Sequence, residues 1–261
     1  MLPNEYPLFR STTAVLRAIL ALVGRGYGLH HYGEVSPGRT LHLVEKLDAA
    51  HHVLLHPNHQ TALKKIGHPT ARLVLAPQPH PSPEGERWAF VLLASGPLKG
   101  ERLYRVDDPG HPLVWRGIYQ LYRTEWGRWS WRLKEGHFSE LAAQVARAVE
   151  DRPGTLARRL EGLMLYPRFH GVHQDVRRLV YLARKSWGSS RRGQRHRSGM
   201  AQPDWAKYLS LRPLRGIGGK LYHEPPLTLG AWLEGGQEEV TDLERAEEPV
   251  CDPQEQRRGG S

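Results

Sequence analysis

Two short apolar runs constrain the fold most. Ala71 to Ala76 and Trp88 to Ala94 are each too brief for a buried helix, and between them lies Pro77-Gln78-Pro79-His80-Pro81-Ser82-Pro83. Prolines at that density fix φ and remove backbone donors, so no helix or strand continues through them. The pair reads as adjacent antiparallel strands joined by a rigid loop.

The flanking segments add helices and further strands. Ser11-Thr12-Thr13 caps a helix to about Val23, with Val15, Leu16, Ile19, Leu20 and Val23 at helical spacing. The apolar stretch Ala14 to Val23 contains Arg17 and is about half the length of a membrane span, so it is a core helix. Tyr27 to Val35 is a short strand. Ser36-Pro37 opens a second helix with Leu41, Val44, Leu47 and Ala50 on its apolar side. A turn at His56-Pro57-Asn58 precedes a short helix over Thr61 to Ile66. From Leu113 to Leu133 the residues alternate, which predicts a Trp-rich hairpin (Trp115, Trp126, Trp129, Trp131) turning near Glu125 to Gly127. About five strands are expected in this half.

Beyond Lys134 the period becomes helical. Leu141, Val145, Ala148 and Val149 form one stripe. A second helix starts at Pro153 and carries Leu156, Leu160, Leu163 and Met164. A third runs from Gly171 to about Trp187 with Val172, Val176, Leu179, Val180 and Ala183 inward. The expected class is α+β: a mixed helix and antiparallel-strand domain over 1–133, a three-helix unit over 134–188, a basic glycine-containing arm over 189–223 and an acidic, disordered tail over 224–261. No internal repeat is visible.

Charge supplies the functional expectation. The chain carries 37 Lys plus Arg against 27 Asp plus Glu, a net of +10. Between Arg177 and Lys220 twelve basic residues face one acid, Asp204, whereas ten acids face three basic residues from Glu224 onward. Such a concentration of cations attracts a phosphate polymer and makes affinity salt-dependent. The candidate contacts are Arg177, Arg178, Arg184 and Lys185 on the third helix, Arg191, Arg192, Arg195 and Arg197 in the arm, and Arg212, Arg215 and Lys220 beyond it. A helix for a groove and an arm for the backbone is a recurring DNA-binding arrangement. Trp187, Trp205 and Tyr208 are candidate stacking faces for a single strand. The acidic tail is expected to fold back and compete.

The expectation is therefore a basic, cytoplasmic nucleic-acid-binding protein, with DNA favoured over RNA, no membrane partner and no cofactor or metal. One cysteine, Cys251, rules out a disulfide framework and suits a reducing cytosol. The opening Met1-Leu2-Pro3-Asn4-Glu5 lacks the pattern of a secretory signal. An RNA-binding or RNA-processing part of a ribonucleoprotein is the alternative, with Gly216-Ile217-Gly218-Gly219-Lys220 as its contact loop; that spacing is not a P-loop. A metal-dependent nuclease or relaxase-like enzyme is the second alternative. It would draw on His51, His52, His56 and His59, with His30, His31 and Tyr32 upstream, although the relaxase HxH spacing is absent. His170-Gly171-Val172-His173-Gln174-Asp175 reads as a polar first helical turn rather than a metal motif. No catalytic residue is assigned.

Overall fold

The computed structural model describes residues 2–9, 11–77, 87–151, 154–189, 203–210 and 227–233. In chain order its first elements are β1 (Pro7–Leu8), α1 (Thr12–Gly24), β2 (Leu29–Val35), α2 (Pro37–His51) and α3 (Pro57–Lys65). There follow β3 (Ala71–Ala76), β4 (Trp88–Ala94), β5 (Tyr104–Arg105), β6 (Val114–Trp115), β7 (Tyr119–Arg123) and β8 (Trp129–Leu133). The last are α4 (Glu135–Glu150), α5 (Thr155–Met164), α6 (His170–Ser189), α7 (Trp205–Leu209), β9 (Leu227–Thr228) and α8 (Leu229–Leu233). The class is α+β with antiparallel sheets.

The two apolar runs pair as the sequence predicts, from Ala71↔Ala94 to Ala76↔Ala89. β4 is buried along its whole length because it sits inside the sheet β3-β4-β2-β5 and both faces of that sheet are covered. On one face Val74, Ala76, Ala89, Val91 and Leu93 join α1, the second sheet and α4 to α6 in one apolar cluster. On the other, Leu73, Leu75, Trp88, Phe90 and Leu92 pack with Val44 and Leu47 of α2. Alternation along β3 and β4 thus feeds two cores at once. Ser11 caps α1 as expected, its hydroxyl accepting from Ala14 N at 3.2 Å. Ala50, counted on the apolar side of α2, is exposed.

The second sheet departs from the expected single hairpin. β7 and β8 do turn at Glu125 to Gly127, but the alternation from Leu113 is broken at Arg116 and Gly117, whose φ values are 51° and 71°. Two successive positive φ angles make a type I′ turn, which folds β6 back onto β7. The sheet is a meander β6-β7-β8. Among the described residues the first 133 hold eight strands rather than about five, and the three extra ones, β1, β5 and β6, are each only two residues long. Strands that short leave no period to read.

The helices are as expected in their inward faces. Val172, Val176, Leu179, Val180 and Ala183 of α6 are all buried, as are Leu141, Val145, Ala148 and Val149 of α4. α5 begins at Thr155, and Pro153 lies outside the described residues. The tail differs. β9 pairs with β1, Leu229 and Trp232 are buried, and Trp232 meets Trp88 edge-on at a centroid distance of 4.3 Å. Residues 227–233, expected within a disordered acidic tail, therefore close one core. Their sequence Leu227-Thr228-Leu229-Gly230-Ala231-Trp232-Leu233 is apolar enough to be buried although the residues that follow are largely acidic. No helix among the described residues is long and apolar enough to cross a membrane.

Candidate nucleic-acid interface

α6 owes its position to two contacts with the second sheet. β8 is an edge strand of that sheet, and Asp175 Oδ2 accepts the Leu133 N–H at 3.0 Å. At the helix start, a Cβ on Gly171 would lie 2.6 Å from the Trp131 carbonyl oxygen and 2.6 Å from the Tyr122 hydroxyl. Only glycine lets the helix approach this closely. The segment His170 to Asp175, expected to act as a polar helix start, instead latches helix to sheet. Burial raises the Asp175 carboxyl above its usual range, while the Leu133 N–H and Arg178 pull the other way.

With its apolar face so fixed, α6 turns a cationic face to solvent. Arg177, Arg178, Arg184 and Lys185 are all exposed. They stand at i−4, i−3, i+3 and i+4 from Tyr181, whose ring is 51% exposed. On a helix those four positions surround the central residue on one face. Arg178 is the least free: its guanidinium is 3.4 Å from Asp175 Oδ1 and 4.7 Å from the centre of the Phe138 ring. A second exposed residue, Leu182, adjoins the patch.

The same stripe continues to the helix N-terminus through Gln174 and His170, about 20 Å in all at 1.5 Å per residue. The Gln174 amide nitrogen donates to His170 Nε2 at 3.3 Å, which leaves Nδ1 facing the Tyr122 hydroxyl at 3.3 Å. Trp126, at the tip of the β7–β8 hairpin and 65% exposed, lies edge-on to His170 at 5.0 Å. Arg132 is exposed on β8 with its guanidinium 5.5 Å from the Tyr122 ring centre. Two exposed aromatic rings thus mark the stripe, one beyond its start and one in its middle.

The sequence-predicted site residues divide cleanly. Arg177, Arg178, Arg184 and Lys185 share this surface; Arg191, Arg192, Arg195, Arg197, Arg212, Arg215 and Lys220 lie outside the described residues, as does the Gly216–Lys220 loop. Of the expected stacking rings, none is fully exposed. Tyr208 is buried, and Trp187 and Trp205 pack against the main core. Of the hairpin tryptophans, Trp115 and Trp131 are fully buried and Trp129 partly so, leaving Trp126 outside. Tyr181 was missed, although its spacing from four cations was legible.

The candidate histidines are engaged separately, apart from His56 and His59, whose ring centroids lie 6.2 Å apart. His51 Nε2 lies 3.6 Å from Glu101 Oε1, His52 ends α2 with φ 54°, and His56 Nδ1 accepts from Asn58 N at 3.3 Å as the cap of α3. Among the described residues no group of three or more His, Cys, Asp or Glu is arranged to hold a metal ion. Upstream, His31 stands against Phe90, and burial pushes the Tyr32 hydroxyl up to about 12. A hydroxyl held protonated so firmly is a weak nucleophile. Its ring packs edge-on to Trp115 at 6.0 Å. Set against known protein families, curated proteins and solved structures, the chain matches none.

Proposed function

We propose that this protein binds nucleic acid, DNA in preference to RNA, along the outward face of α6. One observation supports the reading above the others: an exposed tyrosine ringed by four exposed cations on a helix face. Ordinary solvated faces mix both signs of charge, whereas this one sets four cations around a single ring. In this reading Arg177, Arg184 and Lys185 meet phosphates, Tyr181 stacks on a base, and Arg191, Arg192, Arg195, Arg197, Arg212, Arg215 and Lys220 add backbone contacts from the arm. Phosphate contacts supply affinity without sequence choice, and a stacking ring favours an unpaired strand.

The test is a competition at equal, near-physiological salt among single-stranded DNA, duplex DNA and structured RNA, with protein freed of contaminating nucleic acid. Single-stranded DNA is expected to bind best. Preference for RNA would move the protein to the ribonucleoprotein reading. Indifference to all three would overturn the proposal.

A further inference from the structure

Away from α6, a cleft of about 440 Å3 opens where the end of α1, helix α3 and strand β3 meet. Arg25, Lys64, Lys65 and Arg72 line it together with Tyr27 and Thr61, and among the described residues no carboxylate does. The cations come from three elements: Arg25 ends α1, Lys64 and Lys65 form the last turn of α3, and Arg72 is on β3. A helix C-terminus favours a nearby cation, which accounts for the first three. It does not account for Arg72, the second residue of β3, which is half-buried between two buried neighbours, Ala71 and Leu73.

The wall is held in shape. Lys64 Nζ donates to the Arg25 carbonyl at 2.6 Å and sits 4.3 Å from the centre of the Tyr27 ring. Tyr27 is fixed in turn by its hydroxyl, which donates to Gln60 Oε1 at 2.9 Å. Arg25 and Lys65 are exposed, whereas Lys64 and Arg72 are half-buried. Four like charges around one concavity repel each other and focus a positive potential into it. An anion with more than one charge relieves that repulsion. The volume exceeds what a single phosphate group fills and lies in the range of small-molecule sites, roughly 300–1,000 Å3.

We propose that this cleft binds a phosphomonoester, either that of a free nucleotide or the terminal phosphate of a nucleic-acid strand. A monoester carries about −1.5 to −2 charge near neutral pH with three strong acceptor oxygens, whereas an internal diester carries a single charge. The proposal does not depend on the α6 reading. Titration calorimetry of the full chain tests it with adenosine monophosphate, adenosine and inorganic phosphate. The monophosphate is expected to bind, inorganic phosphate to compete with it, and adenosine to do neither. In the parent protein the amide signals of Thr61 and Lys65 should shift on titration.

Arg25→Ala combined with Lys65→Ala, both at exposed positions, is expected to weaken the monophosphate about tenfold or more, the loss of two charge-assisted contacts. Arg177→Ala with Arg184→Ala should leave it unchanged. In that second background, a short strand bearing a terminal phosphate is compared with the same strand lacking it. Tighter binding of the phosphorylated strand than of the same strand without its phosphate identifies a strand end as the ligand; no gain from the terminal phosphate, with the monophosphate still bound, identifies the free nucleotide. Equal binding of adenosine and its monophosphate, no binding by any phosphorylated probe, or an unchanged affinity in the cleft variant would each overturn the assignment.

Discussion

Asp175 reaches from α6 to accept the backbone N–H of Leu133 at 3.0 Å, and this bond occupies the outer edge of the second sheet. A buried donor stripped of its acceptor costs about 1–3 kcal/mol. Asp175→Ala should therefore lose about that much in urea unfolding.

The same carboxyl should be visible in pH dependence. Its folded pKa is raised, chiefly by burial. Between the unfolded and folded values, the unfolded chain has already released a proton that the folded chain keeps. Stability from this group therefore falls as pH rises through that window, and the deficit is complete once pH exceeds the folded value. Asp175→Asn keeps an acceptor for Leu133 and removes the ionisation, sacrificing only a half-exposed contact with Arg178 of little value. Its stability relative to the parent should improve on going from the acid side of the carboxylate range to neutral pH. A difference that is flat with pH would show that Asp175 does not ionise as described.

Gly171→Ala is expected to destabilise by about 1–3 kcal/mol, the usual cost of forcing extra volume into a packed contact. The added methyl would meet the Trp131 backbone, which cannot move aside as a flexible side chain would. Because α6 carries the proposed interface, thermal unfolding and nucleic-acid affinity should decline together in this variant.

How far the sequence carried is clear from these elements. Buried faces with a full helical or two-residue period were legible: α1, α4, α6, β3 and β4 lie where their apolar spacing put them. What escaped depended on partners distant in sequence. The latch from Asp175 to Leu133 and the close approach at Gly171 have no local signature, because each needs a sheet that the helix alone does not reveal. The turn at Arg116 and Gly117 escaped for another reason, since an arginine at positive φ contradicts its own preference. In the candidate site the cations were read correctly as outward, but which aromatic rings stay in solvent was decided by packing. Tyr208 and Trp131 are buried, the Trp131 indole donating to the Leu16 carbonyl of α1, and Tyr181 and Trp126 are left outside.

For the interface, Arg177→Ala with Arg184→Ala should lower the slope of log affinity against log salt by roughly 1.4 on single-stranded DNA, at about 0.7 per phosphate contact. Tyr181→Ala should cost about 1–3 kcal/mol on a single strand, the worth of one stacked base, and leave the salt slope alone. Anisotropy titrations at several salt concentrations separate the two. If Tyr181→Ala changed the slope and not the intercept, the ring would have no stacking role.

Truncation should discriminate two parts of the acidic tail. A chain ending after Leu233 keeps Trp232 against Trp88 and should unfold like the parent, whereas one ending after Glu224 loses β9 and α8. Trp232→Ala alone is expected to cost about 3–5 kcal/mol, as for other large buried rings. If the remaining acidic residues compete with nucleic acid for the basic segment, the chain ending after Leu233 should bind more tightly at low salt.

The pairing of Pro7–Leu8 with Leu227–Thr228 also bears on how the protein comes to be folded. A growing chain emerges from the ribosome in order, so the early strand waits while more than two hundred residues are added. Until then Trp88 lacks the indole that covers it, and Tyr6 lacks the Leu229 amide that bonds to its carbonyl. Contacts this distant are slow to form and leave apolar surface open meanwhile. Joining these two distant segments is therefore expected to be a late step of folding.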